Sequence, residues 1–246
     1  MLGLGVGFYG LGVNDIPLLT SPIGTRGANL AFWYQFNTGQ TANASNFVAK
    51  WNDQSGNNNH ALQDTDLNKA TLSTGSLDFD GTNDHYDLTS AVTIADSGGF
   101  CLAFVVELDN LSGTILSKDA NDQFAFVDGT TFRFKSDAAD VTTDFVFSSG
   151  TFATGEKVLI LLNKTAGAQN SFLFFKNGTQ LTPSVDSVNA GKGQNPGGFD
   201  LNVLGSLSGS SNFFNGKMYE VAFWNTDLNA TEITDVNNYF TSVHRL

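Results

Sequence analysis

Cysteine, glutamate and basic residues are scarce in this chain, and each shortage removes a class of protein. A single cysteine, Cys101, among 246 residues leaves neither a disulfide framework nor a Cys-based zinc site. It stands in the apolar run Phe100 to Val106, where a small buried hydrophobe is expected. Glutamate supplies only four of the 24 acidic residues, and Lys and Arg together number 12, so strong helix formers are thin. Asp, Asn and 26 Gly take their place, which suits strands joined by tight turns. No apolar run approaches the roughly 20 residues of a membrane helix. The first basic residue is Arg26, and the N-terminal stretch is Gly-rich rather than solidly apolar, so no signal peptide is expected. The chain is therefore expected to be made and kept in a cytoplasm, or assembled there into something larger. Four Asn-x-Ser/Thr triplets, at Asn43, Asn163, Asn177 and Asn229, carry no meaning without secretion.

The formal net charge of −12 argues against nucleic acid or an anionic membrane as partner, since either would want clustered Lys and Arg. Two explanations of the acidity stand: solubility, or Asp side chains that ligate cations.

What the chain has is hydrophobic content of 41% with 22 Phe, enough to fill one large β core, and no linker divides it. Residues 1–26 differ from the rest. Leu2, Leu4, Val6 and Phe8 alternate with glycine, the pattern of a strand with one bare face. Such a strand either seeks an edge on another subunit, as an assembly arm, or forms a flexible or locally docked tail. Gly5-x-Gly7-x-x-Gly10 matches a dinucleotide fingerprint in letters only. No full strand precedes it, and Pro17 and Pro22 stand where the helix should be.

From Leu30 the pattern is strand after strand. Leu30–Phe36, Ser76–Asp80, Phe100–Leu108 and Gly113–Ser117 read as strands, and Gln123–Val127 with Thr131–Lys135 flank the turn Asp128-Gly129. In the second arm of that hairpin Phe132 and Phe134 should face in and Arg133 and Lys135 out. Asp144–Phe147, Lys157–Asn163, Ser171–Lys176, Leu201–Leu204 and Lys217–Trp224 continue the series. Many mostly antiparallel strands at this spacing predict an all-β, two-sheet sandwich. One short C-terminal helix is expected. Asn229 caps it, Glu232 completes a capping box, and Ile233, Val236, Phe240 and Val243 make its buried stripe.

The segment Trp51 to Gln63, WNDQSGNNNHALQ, is the least ordinary stretch. Three asparagines after Ser-Gly invite left-handed backbone and bonds from side chain to backbone. The loop is either a demanding corner or an oxygen-rich site. Calcium is the metal such oxygens would take, with Asp53, Asn57, Asn59 and Asp80 as ligands. The competing reading has these groups bonding their own loops. For a sugar, Trp51 and Tyr86 would offer aromatic faces and Asn58, His60 and His85 polar partners, while Trp33 and Trp224 belong to apolar strands and the core. His60, His85 and His244 adjoin no recognisable nucleophile elbow.

Three segments in order resemble the laminin-G-like, concanavalin A-like jelly-roll family: Trp51 to Ala61, Leu77-Asp-Phe79-Asp80-Gly81-Thr-Asn-Asp84, and Phe175-Lys-Asn177-Gly178. The closing Asn215-Gly216 to Trp224 strand and the helix after it look like that family's last strand and tail. The resemblance spans about residues 28–246 and implies two curved antiparallel sheets in a jelly roll over residues 27–246. It is closest to modules of bacteriophage virion proteins. That likeness implies a virion structural protein, a capsid decoration or tail appendage, at the particle surface. It would be made in the host cytoplasm, would meet other virion proteins or copies of itself through the arm, and would contact surface glycans. A free-standing carbohydrate-binding module is the alternative. Glucanases of this architecture need paired carboxylates about 5 Å apart. The nearest match, Glu107-Leu-Asp109-Asn-Leu-Ser112, has Ser at the second carboxylate, so a non-enzymatic chain is expected.

Overall fold

The computed structural model describes residues 21–136, 141–167, 171–187 and 198–246. The arm residues Leu2, Leu4, Val6 and Phe8 lie outside the described residues. The first strands are β1 (Leu30–Tyr34), β2 (Gln40–Ala42), β3 (Val48–Trp51), β4 (Ala61–Leu62), β5 (Thr71–Ser73) and β6 (Ser76–Asp80). Then come β7 (Tyr86–Ile94), β8 (Phe100–Leu108), β9 (Gly113–Ser117), β10 (Gln123–Phe126), β11 (Thr131–Ser136) and β12 (Val141–Val146). β13 (Lys157–Lys164), β14 (Phe172–Lys176), β15 (Thr179–Leu181), β16 (Ser184–Ser187), β17 (Phe199–Leu204) and β18 (Asn215–Trp224) precede one helix, α1 (Ala230–His244).

The strands form two antiparallel sheets. One runs β15-β14-β13-β8-β18-β6-β5, with β1 also paired to β18; the other runs β16-β12-β11-β10-β9-β17-β7-β4-β3-β2. Strands β6 and β1 share one edge of β18, pairing with Asn215–Met218 and Val221–Trp224 respectively. Between the sheets lies a core of phenylalanines. Phe100 packs against Phe124, Phe134, Phe199 and Phe223 with ring centroids 5.1–5.9 Å apart.

A second apolar cluster fills the space between the outer face of the first sheet and α1. That explains why β8 reads as an unbroken apolar run. Phe100, Leu102, Phe104 and Val106 face the other sheet, while Cys101, Ala103 and Val105 face the helix, and all are buried. The helix begins as its sequence requires. The Asn229 side chain accepts the Thr231 and Glu232 N–H groups, and Glu232 accepts the Asn229 N–H at 2.7 Å. Such a cap stabilises a helix by about 1 kcal/mol. The buried stripe departs from expectation at its end. His244, not Val243, turns inward, because position 244 follows Phe240 by four residues and is held by a polar partner beneath the helix.

That partner is Glu220 on β18, fully buried. Its Oε1 accepts the Trp33 indole N–H at 2.7 Å and the Tyr239 hydroxyl at 3.1 Å. His244 Nε2 stands 2.8 Å from its Oε2, leaving the buried Nδ1 without a partner among the described residues. Burial and the neighbouring Glu220 push the Tyr239 hydroxyl well above the usual tyrosine range. A polar knot thus fastens β1, β18 and α1 inside an otherwise apolar layer.

Candidate functional site

The Trp51–Gln63 segment runs from the end of β3 through a turn into β4, both strands of the second sheet, and its turn is a corner hydrogen-bonded to β1 of the first. Asp53 is its hub. Oδ1 accepts the Trp33 and Ser55 backbone N–H groups at 2.8 Å each; Oδ2 accepts the Ser55 hydroxyl at 2.7 Å and the Asn59 N–H at 3.0 Å. Asn57 Nδ2 donates to the Leu30 carbonyl at 2.6 Å, and the Tyr34 hydroxyl donates to the Asn59 carbonyl at 2.8 Å. These bonds fix β1. On the other side the Asn59 Oδ1 accepts the Ser90 N–H at 2.9 Å, and the His60 carbonyl accepts the Thr89 N–H, which fixes β7. Asn58 adopts φ 57° at the exposed tip, a conformation asparagine tolerates better than other residues with a Cβ.

The calcium reading changes accordingly. All four acceptor directions of Asp53 are filled by the protein itself, and Asp80 lies in a different cleft. There its Oδ1 accepts the Thr82 N–H at 2.7 Å in an Asx turn. Its neighbour Asp84 is buried and accepts the Asp80 N–H, and burial pushes its carboxyl up to about 6. Among the described residues no three His, Cys, Asp or Glu side chains gather as a metal site.

Two of the expected sugar contacts also fall. Trp51 is fully buried, its ring stacked on Tyr34 at 5.5 Å and its indole N–H donating to the Gln35 and Thr38 carbonyls. Tyr86 is fully buried as well, its hydroxyl donating to the Val48 carbonyl at 2.8 Å. Neither can offer a face to a ligand. His60 uses Nδ1 to accept the Asp53 N–H, and His85 lies elsewhere, bonded to Gln63 and Asn83.

The corner does form one wall of a cleft of about 290 Å³, together with the first residues of β1 and the middle of β7. Asn57 and Asn59 come from the loop. Asn29 and Asn225 meet them because β1 pairs with β18, with Asn225 N–H donating to the Asn29 carbonyl at 2.9 Å. Ser90 and Thr93 add hydroxyls to these amides, beside the small apolar Ala28, Ala31 and Ala91, and most of the lining is exposed. Sequence reasoning missed Asn29, Ser90, Thr93 and Asn225, which are ordinary turn and strand residues until the register brings them together.

A laminin G profile, described as the concanavalin A-like lectin/glucanases superfamily, matches residues 80–234. The chain belongs to the concanavalin A-like lectin/glucanases superfamily. No curated protein matches it. Among solved structures, this superfamily member resembles the Trypanosoma rangeli sialidase in complex with sialic acid: 18% identity, 88% of this chain, 34% of that chain, TM-score 0.56. A mutant of that sialidase displaying trans-sialidase activity gives 17% identity, 85% and 33% coverage and a TM-score of 0.54. The botulinum neurotoxin serotype D binding domain gives 12% identity, 89% and 53% coverage and a TM-score of 0.60. At these identities the likeness shows the lectin-like fold alone, and the chain spans only about a third to a half of those proteins.

The sialidase matches correct the expectation of a non-enzymatic chain. Enzymes contain this fold, so the broken glucanase motif at Glu107 to Ser112 does not exclude catalysis. Glu107 itself is an ion-pair partner. Lys217 donates to it at 2.7 Å and Tyr219 at 3.0 Å, which holds its carboxyl below the usual glutamate range. No helix among the described residues is long and apolar enough to cross a membrane.

Proposed function

We propose that this concanavalin A-like jelly roll recognises glycans through the cleft beside the Trp51–Gln63 corner. The observation that carries the reading is the convergence of Asn29, Asn57, Asn225, Ser90 and Thr93 on one cleft. Side-chain amides and hydroxyls offer donors and acceptors side by side, the set that sugar hydroxyls require. The sialic acid complex among the structural likenesses supports a sugar as the class of ligand. On a glycan array the chain should bind selected saccharides, and the double substitution Asn29→Ala with Asn225→Ala should abolish that binding while the fold survives. An array silent for the unsubstituted chain, or binding untouched by the double substitution, would sink this assignment.

A second reading concerns assembly. The alternation of Leu2, Leu4, Val6 and Phe8 with glycine supports an arm that adds to the edge of another subunit, in keeping with a virion surface protein. Deleting residues 2–20 should abolish incorporation into the particle and leave the thermal unfolding of the sandwich unchanged. Normal incorporation of the truncated chain would end the arm hypothesis.

A further inference from the structure

The corner cleft holds a buried polar group that the fold itself does not use. Asn59 is only 5% exposed, and its neighbours hold it firmly in place. Its backbone N–H donates to Asp53 at 3.0 Å, its carbonyl accepts the Tyr34 hydroxyl at 2.8 Å, and its Oδ1 accepts the Ser90 N–H at 2.9 Å. The remaining polar atom, Nδ2, has no partner among the described residues. It is not sealed in like the unpaired Oδ1 of Asn202, and it opens on the cleft that Asn59 lines. Asn57, on the same wall, is held by its Nδ2 on the Leu30 carbonyl, which leaves its Oδ1 unbonded. A fixed donor and a fixed acceptor are thus oriented before any ligand arrives, which lowers the ordering cost of binding.

The cleft is also uncharged. None of the residues lining it is ionisable. The cations around it are engaged elsewhere: Arg26, just before its first residues, donates to Glu232 at 2.6 Å. Lys118 donates at 3.0 Å to Asp200, the partner of Thr93 across the β7–β17 pair. A carboxylate entering the cleft would lose water without gaining a cation, in a chain of net charge −12. A hydroxyl meets no such penalty, because an amide satisfies both its hydrogen and its oxygen. We propose, resting on the assignment of this cleft to glycans, that its ligands are neutral saccharides, with Asn59 Nδ2 donating to a hydroxyl oxygen, and that sialic and uronic acids are excluded. The likeness to a sialidase is one of fold and sets no preference for acidic sugars here.

The test is a glycan array of the full chain in which each neutral saccharide is printed beside its sialylated and uronic acid counterparts. The neutral members should bind at least about ten-fold more strongly. Ala91→Arg places a cation at an exposed position on the cleft wall and should raise binding of the acidic members by at least about ten-fold. Asn59→Asp keeps the acceptor for Ser90 but replaces the free donor with a carboxylate oxygen. It should weaken neutral binding by about ten-fold, the equivalent of one lost hydrogen bond, with the melting temperature measured alongside. The unsubstituted chain gives a reading that does not depend on that variant folding: nuclear magnetic resonance of the Asn59 side-chain amide, titrated with the neutral saccharide strongest on the array, should show that signal shift. The inference is overturned if acidic members bind as well as neutral ones, if Ala91→Arg gains none of them, if folded Asn59→Asp binds like the parent, or if the Asn59 signal stays still. An array silent for every saccharide, or binding untouched by the Asn29 and Asn225 double substitution, ends the assignment of the cleft itself. An array led by acidic saccharides ends only their exclusion.

Discussion

Replacing Glu220 by leucine is expected to lower the stability of the fold by about 3–5 kcal/mol, the range found when one member of a buried polar pair is removed. The reason is the number of groups that depend on it. The Trp33 indole N–H, the Tyr239 hydroxyl and His244 all converge on one carboxyl in a layer where no exposed surface can compensate. Leucine fills much of the volume but leaves these groups desolvated and unpaired. Glu220→Gln should cost less, because its amide oxygen still accepts from Trp33 and Tyr239 while its NH₂ faces a ring nitrogen that changes tautomer to accept. Urea denaturation measures the loss, and the indole N–H resonance of Trp33 reports whether it is local. A leucine variant within about 1 kcal/mol of the parent would show that the knot is not a stabilising unit.

Neither end of that knot was visible in the sequence. Glu220 stands in a strand that also carries Lys217 and so reads as one more outward-facing charge, and His244 is four residues beyond Phe240 at the last turn of the helix. Only the docking of the helix across β18 puts them within bonding distance. Strands whose burial leaves a local signature were legible. β8 is apolar on both faces, β11 alternates, and the Asp128-Gly129 and Asn177-Gly178 turns punctuate hairpins, so their bounds were read within one or two residues. β7 was not found, because Thr89, Ser90 and Ala91 are all exposed where its pairing with β17 shifts register, and the period-two pattern breaks there. The cleft is harder still. Asn29, Asn57, Ser90 and Asn225 come from four separate segments, and no local pattern links them. Trp51 was misjudged for a different reason: its polar neighbours suggested an exposed ring, whereas they are polar because they bond one another around a buried one.

The same ambiguity gives the corner its test. In a sequence, an Asp and three Asn that satisfy their own backbone look the same as an Asp and three Asn waiting for calcium. Asp53→Ala is expected to cost about 3 kcal/mol, since it strips the acceptor from the Trp33 and Asn59 N–H groups and from two donors of Ser55. Asp53→Asn should retain part of that, keeping one acceptor oxygen. Trp33 lies between both polar centres of the fold, with its backbone N–H on Asp53 and its indole N–H on Glu220, so the Asp53→Ala loss should broaden the same indole resonance that reports the Glu220 knot. Calcium decides between the two readings of the loop. A ligand that binds only the native state raises the melting temperature with its concentration. Because Asp53 is already fully engaged by the protein, millimolar calcium should leave the melting temperature of the unsubstituted chain where it is. A rise that Asp53→Ala removes would make the carboxylate a metal ligand and the corner a site in its own right.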